Sequence, residues 1–193
     1  MSRTNAHFEK KEPFLEEILC KLRFQKVIKS IPPGSRVLDL GCGFNGKLLK
    51  KIEEKISLGV GIDISVNSQN KSSKIKLIAH DLNYPLPFPE NEFDVVTSLA
   101  NLEHLESPQK SLEEIFRVLK PGGILLLTTP TLFAKPILEC LAFFRIISKK
   151  EIQDHKNYFT KNILKRYCKE IGFSSSRHRY FQLKMNNFLI AIK

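Results

Sequence analysis

The sequence lacks an apolar run long enough to cross a bilayer, which takes about 20 residues, and it lacks a basic segment followed by an apolar one at its start. Neither a spanning helix nor a signal peptide is therefore expected. Its four cysteines, Cys20, Cys42, Cys140 and Cys168, form no C-x-x-C pair, and the reading is of buried, reduced thiols in a cytoplasmic protein. Repeats, low-complexity segments and linkers are missing too. With 193 residues, 42% of them hydrophobic and 26% charged, the chain is expected to be one globular domain with a substantial core.

Acid is scarce at one end. Residues 141–193 hold 12 Lys+Arg against 3 Asp+Glu, a balance of +9, whereas residues 1–140 hold 19 against 17, a balance of +2. An excess of that kind attracts an anionic partner: a phosphorylated substrate, an acidic membrane surface or nucleic acid. A lysine-rich solvated face accounts for it equally well.

Alternation organises the rest. Apolar residues of Pro13–Ile31 recur at helical spacing, and Pro32-Pro33-Gly34 stops them. Strands are expected at Arg36–Leu40, Leu58–Asp63, Lys76–Ala79, Phe93–Leu99 and Ile124–Thr129, with helices at Lys47–Lys55, near Ser65–Gln69, and from Pro108 to Leu119. Near-continuous aliphatic strands separated by helices imply a parallel sheet covered on both faces. Thr160 caps a last helix that Gly172 closes, and Ser174–Leu183 with Asn187–Ile192 reads as a closing hairpin. The expected organisation is an N-terminal helical segment (1–34), a cofactor-binding core (35–130) and an acceptor-side segment with the last helix and hairpin (131–193).

The densest signal is Val37-Leu38-Asp39-Leu40-Gly41-Cys42-Gly43-Phe44-Asn45-Gly46. A strand runs into a glycine-rich turn and then a helix, the arrangement that lets backbone approach a nucleotide-like ligand closely. The glycines at 41, 43 and 46 fit G-x-G-x-x-G, and Asp63 ends the next strand where a ribose-binding acid is expected. That much suits NAD as well. Asp39, two residues before the first glycine, does not suit a pyrophosphate. It suits a cationic group, received directly or through water. Asp81 follows the third strand, where it can accept from an adenine amino group.

With Arg117-Val118-Leu119-Lys120-Pro121-Gly122-Gly123 after the fourth strand's helix, and a hairpin in place of a second mononucleotide-binding half, these residues resemble the class I S-adenosylmethionine-dependent methyltransferases. More narrowly they resemble the small bacterial and archaeal group with Glu-His-Leu after strand four, here Glu103-His104-Leu105. The resemblance covers Arg36–Thr129 most closely. It implies a Rossmann-like α/β three-layer sandwich with a seven-stranded, mostly parallel sheet of order 3-2-1-4-5-7-6, strand seven antiparallel. It also implies S-adenosyl-L-methionine as cofactor. Asp39, Gly41 and Gly43 would line its methionine and ribose side, Asp63 would take both ribose hydroxyls, and Asp81 and Leu82 would meet the adenine. The backbone of Leu99–Asn101 would pass under the sulfonium. One departure stands out: the family's third glycine falls two residues after the second, where this chain has Asn45. Asn tolerates positive φ, so the turn is expected to survive with local rearrangement. Each acid also has a plainer explanation, Asp39 or Asp63 as a capping residue at a strand end.

Methyl transfer from a sulfonium needs alignment and, for weakly acidic acceptors, a base. His104, just past strand four, is the candidate base; Glu103 is expected to brace its loop. Some related methyltransferases carry E-x-x-E-H plus a distant histidine and bind a divalent cation. Here Ala100 takes the first acid's place, so Glu103, His104 and His155 make an incomplete set, and no metal is expected. The Pro-Pro-aromatic segment of nucleobase amino-methyltransferases is missing after strand four, which disfavours that chemistry.

On the acceptor side, Pro136–Ile147 is apolar nearly all round and followed by Lys149-Lys150, as in a buried helix, a lid, or a helix lying on an anionic membrane. Asp154–Thr160 resembles the His-x-x-x-Phe-Ser/Thr segment that borders acceptor pockets in this group, making His155 and Tyr158 candidate substrate contacts. The expected activity is O-methylation of a small-molecule hydroxyl, with an anionic or lipid-linked glycan-type acceptor fitting the basic quarter and the apolar helix. Alternatives are an RNA methyltransferase, which no aromatic-interleaved basic motif supports, and a non-catalytic S-adenosylmethionine-binding partner subunit. Nothing in the sequence specifies an oligomeric state.

Overall fold

The computed structural model describes residues 14–67, 69, 72–143 and 154–193. After helix α1 (Phe14–Ile28) come β1 (Arg36–Leu40), α2 (Lys47–Ile52), β2 (Leu58–Asp63), β3 (Ile75–Ala79), β4 (Phe93–Leu99), α3 (Pro108–Val118), β5 (Leu119–Pro130), α4 (Ala134–Phe143), α5 (Lys161–Ile171), β6 (Ser175–Phe181) and β7 (Asn186–Ile192). The strands form a seven-stranded sheet in the order β3-β2-β1-β4-β5-β7-β6. Strands β1 to β5 pair in parallel, and β7 lies antiparallel between β5 and β6. The expected Rossmann-like sandwich, order and antiparallel strand are all present.

Strand alternation explains the layers. On β1, Leu38 and Leu40 point to one face, where they meet Val60, Ile62 and Val96 and the buried faces of α3 (Leu112, Ile115) and α5 (Leu164, Cys168). Val37 and Val95 point to the other, against Val27 and Ile31 and against Leu48, Leu49 and Ile52 of α2. A side chain fully buried in such a core contributes about 1.5–3 kcal/mol, and both faces of the central strands are filled this way.

Several boundaries differ from those expected. The helix after the glycine turn ends at Ile52 and tightens into a 3-10 turn at Glu53–Lys55. Ser65–Gln69 forms bends and a turn and no helix among its described residues. Helix α3 stops at Val118, before Pro121-Gly122-Gly123, which instead forms an irregularity at the start of β5. There the register with β4 jumps from Phe93↔Leu119 to Val95↔Ile124. Gly122 takes a φ of 75° and donates its amide to the Lys193 carbonyl, so the bulge is tied to the end of β7. The apolar segment 136–147 is helical as far as Phe143, and its remainder lies outside the described residues.

The hairpin strands run Ser175–Phe181 and Asn186–Ile192, joined by a turn in which Gln182, Leu183 and Lys184 all have positive φ. At the other side of the molecule, β1 turns towards β2 while β4 lies on its opposite flank. That reversal opens a crevice at the carboxyl ends of β1 and β4, the place where doubly wound sheets bind ligands.

Candidate cofactor and acceptor site

The crevice floor is built from glycines whose lack of a side chain is required. Gly41 has a φ of 74°, and a Cβ there would lie 2.8 Å from Asn101 Cγ. Its amide donates to the Ile62 carbonyl, which anchors the turn on β2. Gly46 begins α2 with a φ of 59°, and a Cβ there would meet Leu77 Cδ2 on β3 at 2.7 Å. Asn45 is not among the residues with positive φ. The rearrangement expected at that position is thus a one-residue delay: the left-handed step falls on Gly46, while the Asn45 side-chain carbonyl accepts from Asn67 Nδ2 at 3.3 Å.

Three acids stand around this floor in different states. Asp39 is buried near the end of β1, and the Thr97 hydroxyl donates to its Oδ1 at 2.6 Å. Burial pushes its carboxyl up to about 7, the Thr97 hydrogen bond working against the shift and the Asp63 charge adding to it. Asp63, at the end of β2, accepts from the Gly43 amide at 3.0 Å, so it closes the glycine turn as a capping acid does. Asp81 accepts from the amide and the side-chain Nδ2 of Asn83, both at 2.9 Å, in a local turn after β3. Leu82 beside it is half-buried against the core, and Leu99 ends β4 against the opposite core cluster. Asp39, Gly41, Gly43, Asp63 and Leu99 lie at or just past the carboxyl ends of β1, β2 and β4, and Asp81 and Leu82 follow β3.

The chain leaves β4 through a strained step. Ala100 has a φ of 51°, a region where non-glycine residues are uncommon and concentrate at functional sites. It is held there by its amide, which donates to the Thr128 carbonyl at 2.9 Å. The next residue, Asn101, is buried, packs against Gly41, and its Nδ2 has no hydrogen-bond partner among the described residues. A buried amide hydrogen left unmet amounts to about 1–3 kcal/mol, and this one lies beside the glycine turn. Asn101 also accepts, through its carbonyl, the amide of His104, so it links the glycine turn to the candidate base.

Around His104 the acceptor-side segment folds in. The amides of Lys156 and Asn157 donate to the Glu103 carbonyl at 2.9 and 3.1 Å, and Asn157 Nδ2 donates to the Leu105 carbonyl. His104 Nδ1 faces the Asp154 carbonyl at 3.2 Å. A carbonyl only accepts, so Nδ1 carries the proton and Nε2 is the basic nitrogen of that ring. His155 Nδ1 lies 3.2 Å from the Tyr158 hydroxyl, and its ring meets that of His104 edge to face at 4.8 Å. Burial, and then the neighbouring His104, lower His155 to about 4, so it is neutral at pH 7. Glu103, His104 and His155 each offer a donor atom within 4.8 Å of the others', which makes them the residues that could hold a cation.

Two residues beside the glycine turn were not singled out by their side chains in the sequence. Thr97 sits directly beside Asp39 in the parallel β1–β4 register, and the signal for it was two polar residues at matching positions of otherwise aliphatic strands. Asn101 was read only for its backbone.

Comparison with known proteins agrees with this geometry. Residues 38–127 match the family described as the methyltransferase domain. A ubiquinone/menaquinone biosynthesis C-methyltransferase of Vibrio cholerae is 37% identical over 123 residues, 57% of this chain and 45% of that protein. A sterol 24-C-methyltransferase of Gibberella zeae is 34% identical over 104 residues, 49% of this chain and 27% of that protein. The matched region thus spans less than half the length of either relative. Among solved structures, an S-adenosylmethionine-dependent methyltransferase of Mesorhizobium loti shares the fold, with a TM-score of 0.71 at 18% identity over 88% of this chain and 96% of that one. Residues 38–127, just under half of this chain, are therefore similar to the methyltransferase domain family, on a fold shared with a solved S-adenosylmethionine-dependent methyltransferase.

Proposed function

We propose that this protein transfers the methyl group of S-adenosyl-L-methionine to a hydroxyl of a small-molecule acceptor. The observation that carries the reading is the placement of His104 just past β4 with its Nδ1 3.2 Å from the Asp154 carbonyl; a ring that donates there takes a proton on Nε2. In this reading Asp39, Gly41, Gly43, Asp63, Asp81, Leu82 and Leu99 hold the cofactor. The Asp63 carboxylate exchanges its bond to the Gly43 amide for the ribose hydroxyls, and Asp39 receives the methionine ammonium. His104 is the base, and His155 and Tyr158 touch the acceptor. The donor is already a sulfonium, so the remaining task is in-line alignment in a site that sheds water.

An anionic or lipid-linked acceptor is supported by the surface beside the crevice. The Thr131 amide donates to Met185 and its hydroxyl to the Lys184 carbonyl. These bonds set Leu183, 94% exposed, near Leu132 and Phe133, the latter 80% exposed. Apolar tips among Lys135 and Lys184 suit contact with an anionic membrane surface. A second reading, with carbon as the acceptor atom, is favoured by two of the matched relatives, those named above, both C-methyltransferases by name.

Calorimetric titration with S-adenosylmethionine, S-adenosylhomocysteine and NAD tests the first step. Micromolar binding of the two sulfur nucleotides, no binding of NAD, and a loss of about 10–100-fold in Asp63→Ala are expected from hydrogen bonds to a charged group. Transfer of labelled methyl to hydroxylated acceptors then tests the second. Turnover excludes a purely scaffolding role, and alkali-stable label on carbon favours the second reading.

A further inference from the structure

We propose that three segments at the carboxyl edge of the sheet form a docking rim for an anionic phospholipid bilayer, and that the acceptor enters the crevice from that surface. The rim consists of Leu132 and Phe133 after β5, Ile137 one turn further along in α4, Leu183 in the β6–β7 turn, and Ile18 and Leu22 on α1, all exposed. Sheet order fixes where it lies. Strand β5 runs parallel to β4, so Leu132 and Phe133 leave β5 at the edge where β1 and β4 deliver the glycine turn and His104. Strand β7 is antiparallel to β5 with Asn186 opposite Pro130, which brings the β6–β7 turn to that edge too.

Hydrogen bonds join the three segments. Thr131 donates its amide to the Met185 carbonyl and its hydroxyl to the Lys184 carbonyl. Gln182 Nε2 donates to the Leu19 carbonyl at 3.0 Å, tying the turn to the helix that carries Ile18 and Leu22 on one face. The turn itself is an independent sign. Gln182, Leu183 and Lys184 are consecutive non-glycine residues with positive φ, a conformation that persists where the surroundings over-determine it and that gathers at functional sites. Its effect here is to hold Leu183 out in water. Large apolar side chains kept exposed on adjoining segments mark an interaction site.

Charge selects the occupant. Lys21, Lys135 and Lys184 are exposed beside the apolar tips, and the exposed Glu17 is engaged by Lys21 at 2.7 Å. Apolar tips among lysines gain from acyl chains and anionic headgroups together. A second copy facing the same rim would set lysine against lysine, and aliphatic tips offer nucleic acid no stacking face. Lys135 Nζ also lies 5.7 Å from the centroid of the Tyr158 ring, and Thr131 forms a bridge with Phe159, so the rim is continuous with the acceptor-side segment. Docking here deepens the lipid-linked reading and rests on it: the crevice faces the bilayer.

The chain has no tryptophan, so Leu183→Trp supplies a single reporter in the full-length protein. Vesicles of phosphatidylglycerol and phosphatidylcholine are expected to bind, those of phosphatidylcholine alone to bind far more weakly, and the reporter to shift to the blue and be quenched by brominated acyl chains. Phe133→Gln combined with Leu183→Gln should weaken vesicle binding roughly tenfold or more. Lys135→Gln combined with Lys184→Gln should weaken it about fivefold for each lysine. Circular dichroism, melting and S-adenosylmethionine affinity should stay at their wild-type values. A wild-type protein that ignores anionic vesicles, a reporter that stays in water, or binding that both double variants retain overturns the proposal. So does rim-dependent dimerisation, or rim-dependent binding of single-stranded RNA, in place of vesicle binding. Titration with S-adenosylmethionine separates the two readings: vesicle binding without cofactor binding sinks the methyltransferase reading and leaves bilayer docking standing, and cofactor binding without vesicle binding does the reverse.

Discussion

Thr97 reaches across the β1–β4 pair and donates a hydrogen bond of 2.6 Å to the buried carboxyl of Asp39. The bond partly offsets a burial penalty that still leaves Asp39 near pH 7, well above the ordinary carboxyl value of 3.8. For the protein without cofactor, the sign follows from proton uptake. The folded state holds a proton that the unfolded state has lost, so this group's stabilisation is full below about 3.8 and gone above about 7.

In the proposed binding mode the cofactor ammonium favours the ionised form of Asp39. Cofactor affinity is therefore expected to fall as pH drops below 7, approaching tenfold per unit, and to be flat across the same range in Asp39→Asn. Thr97→Val removes the bond that holds the carboxyl down and should move the inflection to higher pH. Calorimetry between pH 5.5 and 8 reads all three.

His155 has the opposite sign. Its folded-state value of about 4 against an ordinary 6.5 means that its contribution is present above 6.5 and lost as pH falls towards 4. Urea denaturation at pH 7 and pH 5 should show a loss of stability on acidification that is smaller in His155→Asn.

Gly46→Ala places a methyl group on Leu77 and a side chain at a φ of 59°. A loss of roughly 1–3 kcal/mol is expected from the backbone alone, with more from the clash, and Leu77→Ala in the same chain should restore the second part. Gly34→Ala, at a φ of 76° with open space around it, should show only the first. Chemical denaturation of the three variants beside the wild type separates them.

His104→Ala should lower turnover by about 10²–10⁴-fold, the usual range for a positioned base, with cofactor affinity unchanged and the acidic limb of the pH–rate profile gone.

The sheet was legible because its central strands are almost purely aliphatic: Leu58–Asp63 and Phe93–Leu99 were delimited to the residue, and the glycine turn between β1 and α2 could be placed by its left-handed requirement. What stayed hidden depended on tertiary pairing. Nothing local to Pro121-Gly122-Gly123 says that it becomes a bulge pinned by Lys193 and not merely a helix stop, because the pinning residue is far along the chain. Ser65–Gln69 is rich in Ser and Asn, which favour turns, and Asn67 is bonded to Phe44 and Asn45 of the glycine turn. Asp63 closing on Gly43 realises the capping-acid meaning that sequence offered beside the proposed ribose contact.

The position of β7 also bears on how the chain reaches this structure. It inserts between β5 and β6, and Ile124 must wait for Ile192. Until then β5 presents Leu125, Leu126 and Leu127, all destined for burial, along an unpaired edge of the kind that recruits other chains. Pairings this distant in sequence form slowly. The nascent sheet is therefore at its most aggregation-prone just before the hairpin docks, and destabilising the hairpin should reduce soluble yield before it reduces affinity for the cofactor.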